Sequence, residues 1–259
     1  MGKLLDKLER ASRGVVQPLG FGGAARREKV APMLLMGAVQ VGDDAALKLY
    51  GEARLDGAIV LGGAAKKAEV AKSGKALGEA VFGVWNEQAS AEEADGSDFQ
   101  VFSSTATPVA ALGGDDRTNV MHVVPELDDS LLRTIDHLPV DVFLVSLADA
   151  ESLTVAQLMR LARVRGVTSR WLLVHLAALP NKEELEQLRD AGVGGIVVDL
   201  AGQTLDALTA CRETLLELPR EAPERSKSKA FATLPSVADA RSGRAAPPSE
   251  PDEDDWDDE

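Results

Sequence analysis

A single cysteine, an aromatic content of only 4% and the lack of any long apolar run set the first limits on this 259-residue chain. Cys211 alone excludes an intrachain disulfide framework and any multi-cysteine zinc or iron–sulfur site. It points to a reducing, cytoplasmic setting. No stretch of about 18 consecutive apolar residues exists, so no membrane-spanning helix is expected. The first residues lack the apolar core of a secretory signal, and "MGKLLD" carries Asp6 where a myristoylation signal needs Ser or Thr. The chain is also poor in net positive charge. Its formal charge of −14 argues against general nucleic-acid binding.

What is present differs between the ends and the middle. Residues 1–30 hold seven Lys/Arg against three acids. Within them, Leu4, Leu8, Ala11 and Val15 fall on one helical stripe, with Lys3, Lys7, Arg10 and Arg13 beside it. The spacing predicts a basic amphipathic helix over 3–15, followed by the breaker "QPLGFGG". At the other end, residues 221–259 lose apolar periodicity and finish in "EPDEDDWDDE", which has eight acids and no base. That composition predicts a disordered acidic tail.

Between 31 and 220 the chain alternates regularly. Short runs rich in Val, Ile, Leu and Phe are "MLLMGAV" (33–39), "AIVLG" (58–62), "VFGVW" (81–85), "FQVFS" (99–103), "VMHVV" (120–124), "VFLVSL" (142–147), "WLLVHL" (171–176) and "GIVVDL" (195–200). Most are followed by a stretch of helical spacing opening on Asp, Thr or Asn, which cap helix N-termini. Apolar runs without alternation are strands buried on both faces, as in parallel sheets under helices. Eight such units in series predict an α/β fold, a closed (β/α)8 TIM barrel. An open doubly wound sheet is the alternative, but its G-x-G-x-x-G turn after the first strand is missing, and there is no P-loop. Spread over residues 33–218, the units average roughly 23 residues each, against about 31 in a typical barrel. That leaves little material for loops.

The stretches "LRDAGVGGIVVDL" (188–200) and "EARLDGAIVLGG" (52–63) are similar to the helix–turn–strand passages repeated in phosphate-binding barrels. On these residues the middle of the chain, about 31–218, resembles the aldolase-type TIM barrel superfamily. The resemblance implies a site at the C-terminal ends of the strands and an anionic, phosphorylated ligand. It also implies a phosphate cradle after strands seven and eight, but the loops "AALPNKEE" and "AGQTLDA" are poor in glycine.

Strand ends and the loops after them supply the candidate groups. Glu87, Glu126, His175 and Asp199 are the candidate catalytic residues, as acids or bases for proton transfer. The acids have a second reading as strand terminators or helix caps, and His175 as an imidazole satisfied by the backbone. Gly62, Gly63, Lys66 and Lys67, in "GGAAKK" at the start of a helix, form the candidate anion site. No His or Cys stands at ligand spacing from His122 or His137, so no metal site is expected. The sequence names no cofactor. No lysine ends a strand, which removes a Schiff-base mechanism, and no G-x-S-x-G elbow occurs.

Two functional readings stay open. One is a small-molecule enzyme, of lyase or isomerase type, or a binder of a small anionic metabolite at the barrel mouth. The other is a non-catalytic interaction protein. Its barrel is a rigid body, its N-terminal helix covers the barrel or touches a membrane surface through residues 3–15, and its acidic tail meets a protein partner.

Overall fold

The structure, a computed structural model, describes residues 2–14, 29–62, 67–87, 96–103, 105–112, 117–123, 128–135, 137–149 and 152–220. The expected disordered tail, 221–259, lies outside the described residues, as does the segment 15–28. Eight strands form the core: β1 (Leu34–Gln40), β2 (Gly57–Leu61), β3 (Phe82–Asn86), β4 (Phe99–Phe102), β5 (Thr118–Val123), β6 (Val142–Ser146), β7 (Trp171–Leu176) and β8 (Gly195–Asp199). Every strand pairs in parallel with its neighbour in the chain. β8 closes on β1 in the register Leu34↔Gly195 to Ala38↔Asp199. The sheet is a closed barrel, as the alternation predicts, and not an open doubly wound sheet.

The helices are α1 (Lys3–Arg13), α2 (Asp44–Ala53), α3 (Lys67–Leu77), α4 (Asp129–Ile135), α5 (Val155–Val167), α6 (Lys182–Asp190) and α7 (Leu205–Glu217). Their starts follow local chemistry. Asp43, Thr154, Asn181 and Thr204 each accept an N–H of the first turn, and Thr154 with Gln157 and Asn181 with Glu184 complete reciprocal capping boxes. At the end of α6, Gly192 takes φ 79°, a left-handed conformation that costs a glycine little. Val193 N–H then bonds the Leu188 carbonyl at 3.1 Å, which turns the chain into β8. This is the physical content of "DAGVGG".

After β4 the described residues hold only a 3-10 turn, Val109–Ala111. Buried amides take the place of a helix there. Gln100 Nε2 donates to the Ala111 carbonyl and to Asn119 Oδ1, both at 2.8 Å, and Asn119 Nδ2 donates to the Pro139 carbonyl at 3.1 Å. The pairing satisfies Gln100 Nε2 and both ends of the Asn119 amide where apolar helix packing is missing, while Gln100 Oε1 is buried with no partner among the described residues.

Two apolar layers follow from the strand period of two. Side chains such as Leu35, Val60, Val145, Leu172 and Ile196 point outward under the helices. Met36, Ile59, Phe99, Val120, Leu144, Leu173 and Val197 fill the barrel, so the interior is packed and not a pore. α1 closes the N-terminal end of that inner layer, with Leu4, Leu8 and Ala11 buried against it. Each buried leucine contributes about 1.5–3 kcal/mol. The helix ends at Arg13 instead of running to residue 15, and Leu4, Leu8 and Ala11 of its stripe are buried against the barrel. That stripe is therefore not available to lie on a membrane surface. Among the described residues no helix is long and apolar enough to cross a membrane.

Three aspartates organise the same end. Asp56, Asp98 and Asp141 stand directly before β2, β4 and β6. Their carboxylates accept the N–H groups of Leu35, Phe82 and Asn119 at 2.9, 3.1 and 2.9 Å, and their own N–H groups return to the carbonyls of those same residues. Before β8 the position is Gly194, where a Cβ would sit 3.1 Å from Leu8 Cδ2. The missing carboxylate leaves room for α1. Lys3 Nζ, 2.8 Å from Asp98, and Lys7 Nζ, which donates to the Asp56 carbonyl at 2.5 Å, hold the helix across the opening.

Candidate functional site

At the opposite end, inward-facing positions turn polar. The period of two that places Val120, Leu144, Leu173 and Val197 in the core places His122, Ser146, His175 and Asp199 on the same face, one step nearer the C-terminal ends. Ser103, just past β4, and Trp85 of β3 join them. In parallel barrels this end carries the chemistry, because each strand there hands over to a loop.

The geometry centres on His175. Its Nε2 lies 3.0 Å from Asp199 Oδ1, and its Nδ1 lies 3.3 Å from Ser146 Oγ. An imidazole between a carboxylate and a hydroxyl has one tautomer favoured. The acceptor-only carboxylate accepts a hydrogen bond from Nε2–H, so Nδ1 is left to accept from the serine hydroxyl. The Asp199 side chain keeps 39% of its surface in solvent and that of His175 only 11%. The arrangement thus runs from the buried interior outward to a partly exposed carboxylate.

A second imidazole stands beside it. His122 Nδ1 is 3.2 Å from Ser103 Oγ, which also accepts Trp85 Nε1–H at 3.1 Å. The Trp85 ring packs against both histidines, with centroids at 5.0 Å from His122 and 5.6 Å from His175, the latter edge-on. Burial, and then the neighbouring His175, push His122 down to about 4. It is therefore neutral at physiological pH. Its Nε2 is buried and has no partner among the described residues. Among those residues no group of three His, Cys, Asp or Glu side chains is placed to hold a metal ion.

The sequence-derived candidates divide. His175 and Asp199 are brought together. Glu87 follows β3 at an exposed position, and no hydrogen bond or ion pair joins its carboxylate to the His175 cluster. Glu126 lies outside the described residues, as do Gly63 and Lys66, and only the backbone of Lys67, the first residue of α3, is described. Gly62 is buried, and its N–H donates to the Trp85 carbonyl at 3.0 Å, continuing the β2–β3 ladder. Sequence reasoning missed His122 and Trp85. His122 reads as mid-strand because the apolar run "VMHVV" extends to 124, whereas β5 ends at Val123. The signal was the alternation itself, which puts His122 two residues beyond Val120 on the inner face.

No protein-family model and no curated protein sequence matches the chain. Solved structures do. A tryptophan synthase alpha-subunit of Pyrococcus furiosus aligns at 13% identity and a TM-score of 0.53, over 71% of this chain and 97% of the other. A thiamine phosphate pyrophosphorylase of the same organism aligns at 14% identity and 0.55, over 70% and 95%. The GGGPS of Thermoplasma volcanium aligns at 11% identity and 0.55, over 83% and 96%. At such identities the likeness concerns the fold alone, and it agrees with the strand order and register: the chain folds as a (β/α)8 TIM barrel.

Proposed function

We propose that this barrel binds a small anionic, phosphorylated metabolite at its C-terminal mouth and moves a proton there, in a reaction of the lyase or isomerase kind. The observation that carries the reading is the His175 imidazole held between Asp199 and Ser146 at the solvent-facing end of the barrel. His175 acts as the acid or base, and Asp199 orients it and balances the imidazolium when it forms. Trp85 supplies an apolar wall. The segment 62–67, which leads into α3 and carries Lys66 and Lys67, is the proposed seat of the anionic group. The neighbouring thiamine phosphate pyrophosphorylase, named for a phosphate ester, lends support by analogy of fold.

The test has two arms. Thermal unfolding of the full chain is followed with inorganic phosphate, pyrophosphate and a panel of phosphorylated sugars and carboxylates. A ligand at about 100 times its Kd adds about 2.7 kcal/mol, a rise of roughly 5–10 °C. Any ligand found is then incubated in D2O with the wild type and His175→Gln, and deuterium at its acidic carbons is read by NMR. Exchange in the wild type and its loss in the variant are expected. A flat panel removes the reading. A second reading, the non-catalytic body, draws on the fact that both ring nitrogens of His175 already have partners in the barrel. On that reading a ligand binds without exchange, or none binds at all.

A further inference from the structure

The N-terminal end of the barrel, away from the mouth, contains a cavity of about 200 Å³ between α1, the segment entering β1 and α7. Four cations line it, Lys7, Arg10, Lys29 and Arg212, against one acid, Asp56. In a chain of net charge −14 this is a local reversal of sign. The acid is already engaged. Asp56 Oδ2 accepts the Leu35 N–H at 2.9 Å, and Oδ1 lies 4.0 Å from Arg212 Nη2. Lys7 and Arg212 donate to the backbone carbonyls of Asp56 and Arg54, which share their protons without cancelling their charge. Arg10 and Lys29 have no hydrogen-bond or ion-pair partner among the described residues.

The rest of the wall is apolar, including Val30, Ala31 and Leu216. The wall is also held in place. Arg220 Nη2 donates to the Val30 carbonyl at 2.6 Å, and Nη1 donates to the carbonyl of Ala11, so the entry segment is tied to the end of α1. Cations gathered over an apolar floor repel one another, and an anion between them relieves that repulsion. A greasy chain attached to the anion covers the floor.

We propose that this cavity is a binding site for a small amphiphilic anion, a carboxylate or phosphate monoester carrying one short apolar chain. The head group sits among Lys7, Arg10, Lys29 and Arg212, and the chain lies on Val30, Ala31 and Leu216. The volume of about 200 Å³ is below the roughly 300–1,000 Å³ of drug-sized ligand sites, which restricts the occupant to a single short chain. The site is independent of His175 and of whatever the mouth binds.

Titration calorimetry on the full chain tests this with octanoate and octyl phosphate as probes. Inorganic phosphate serves as the head group alone, octanol as the tail alone, and phosphatidylglycerol vesicles as a membrane source of the same chemistry. Saturable binding of an amphiphile is expected, with hexyl phosphate weaker than octyl phosphate by roughly fourfold per methylene. The double variant Arg10→Glu, Lys29→Glu, which changes two exposed groups without a side-chain partner among the described residues, is expected to bind at least tenfold more weakly, while His175→Gln binds as the wild type does. The proposal is overturned by no heat with either amphiphile. Unchanged affinity in the double variant, equal binding of inorganic phosphate or octanol, or binding to vesicles but not to free amphiphile overturns it as well.

Discussion

His122 shows how one buried residue ties the mouth to pH. Unfolded, its imidazole protonates near the ordinary 6.5, while in the barrel it stays neutral down to about 4 because burial disfavours the charged ring. Between those values the unfolded chain binds more protons than the folded one. Stability is therefore fully present above about pH 6.5 and falls as pH drops toward 4, by on the order of 2 kcal/mol. Urea unfolding at pH 7 and pH 4.5 measures the loss, and His122→Phe is expected to show a smaller loss than the wild type. Gly83 makes a steric case on the same inner face. A Cβ there would meet the Phe99 ring at 2.2 Å, and Phe99 is completely buried. Gly83→Ala is expected to cost about 1–3 kcal/mol by overpacking, read as a lower urea midpoint with an unchanged slope.

Among the elements, α1 and α6 show two kinds of dependence. α6 starts correctly from its own residues, since Asn181 and Glu184 satisfy each other's backbone donors at 2.9 Å. Asn181→Ala is expected to destabilise by about 1 kcal/mol in thermal or urea unfolding. α1 depends on the barrel. Its buried face is Leu4, Leu8 and Ala11, which has no other apolar partner in the fold. Leu8→Ala is expected to cost about 2–5 kcal/mol. If the helix were only laid on the surface, the cost would stay below about 0.5 kcal/mol. The aspartates before β2, β4 and β6 repeat at every second strand, and "LDG", "SDF" and "VDV" stand in the sequence. Their role shows only once each is seen opposite the first or second residue of the preceding strand.

For the whole molecule, closure is the governing fact. The β1–β8 seam is paired as fully as the interior ladders, so the sheet has no edge at which opening starts cheaply. Cys211 reports on that closure. It is buried in α7, and burial lifts its thiol to about 11. Alkylation by iodoacetamide at pH 8 is expected to be very slow in the native protein. It should reach the free-thiol rate only at denaturant concentrations that unfold the barrel. Rapid native labelling would mean that α7 opens on its own.

Strand order was legible throughout, and helix order everywhere but after β3 and β4, because a run such as "FLVSL" can be buried on both faces only under helices, and caps such as Thr154 and Asn181 act within four residues of themselves. That locality is why the chain by itself determined a closed (β/α)8 architecture and the placing of His175 and Asp199 at strand ends. The site was legible only in part. Hydrogen bonds between β6, β7 and β8 join residues 24 and 29 positions apart, and those between β3, β4 and β5 gather Trp85, Ser103 and His122, so no local pattern announces them. Only the tertiary structure decided that the basic helix plugs the N-terminal end, that one imidazole is shared between a carboxylate and a hydroxyl while another is kept neutral, and that four cations meet over an apolar floor. The physical reason is the same in each case. Propensity and capping act over one turn, whereas burial, register and charge clustering are set by which distant segments the closed sheet brings side by side.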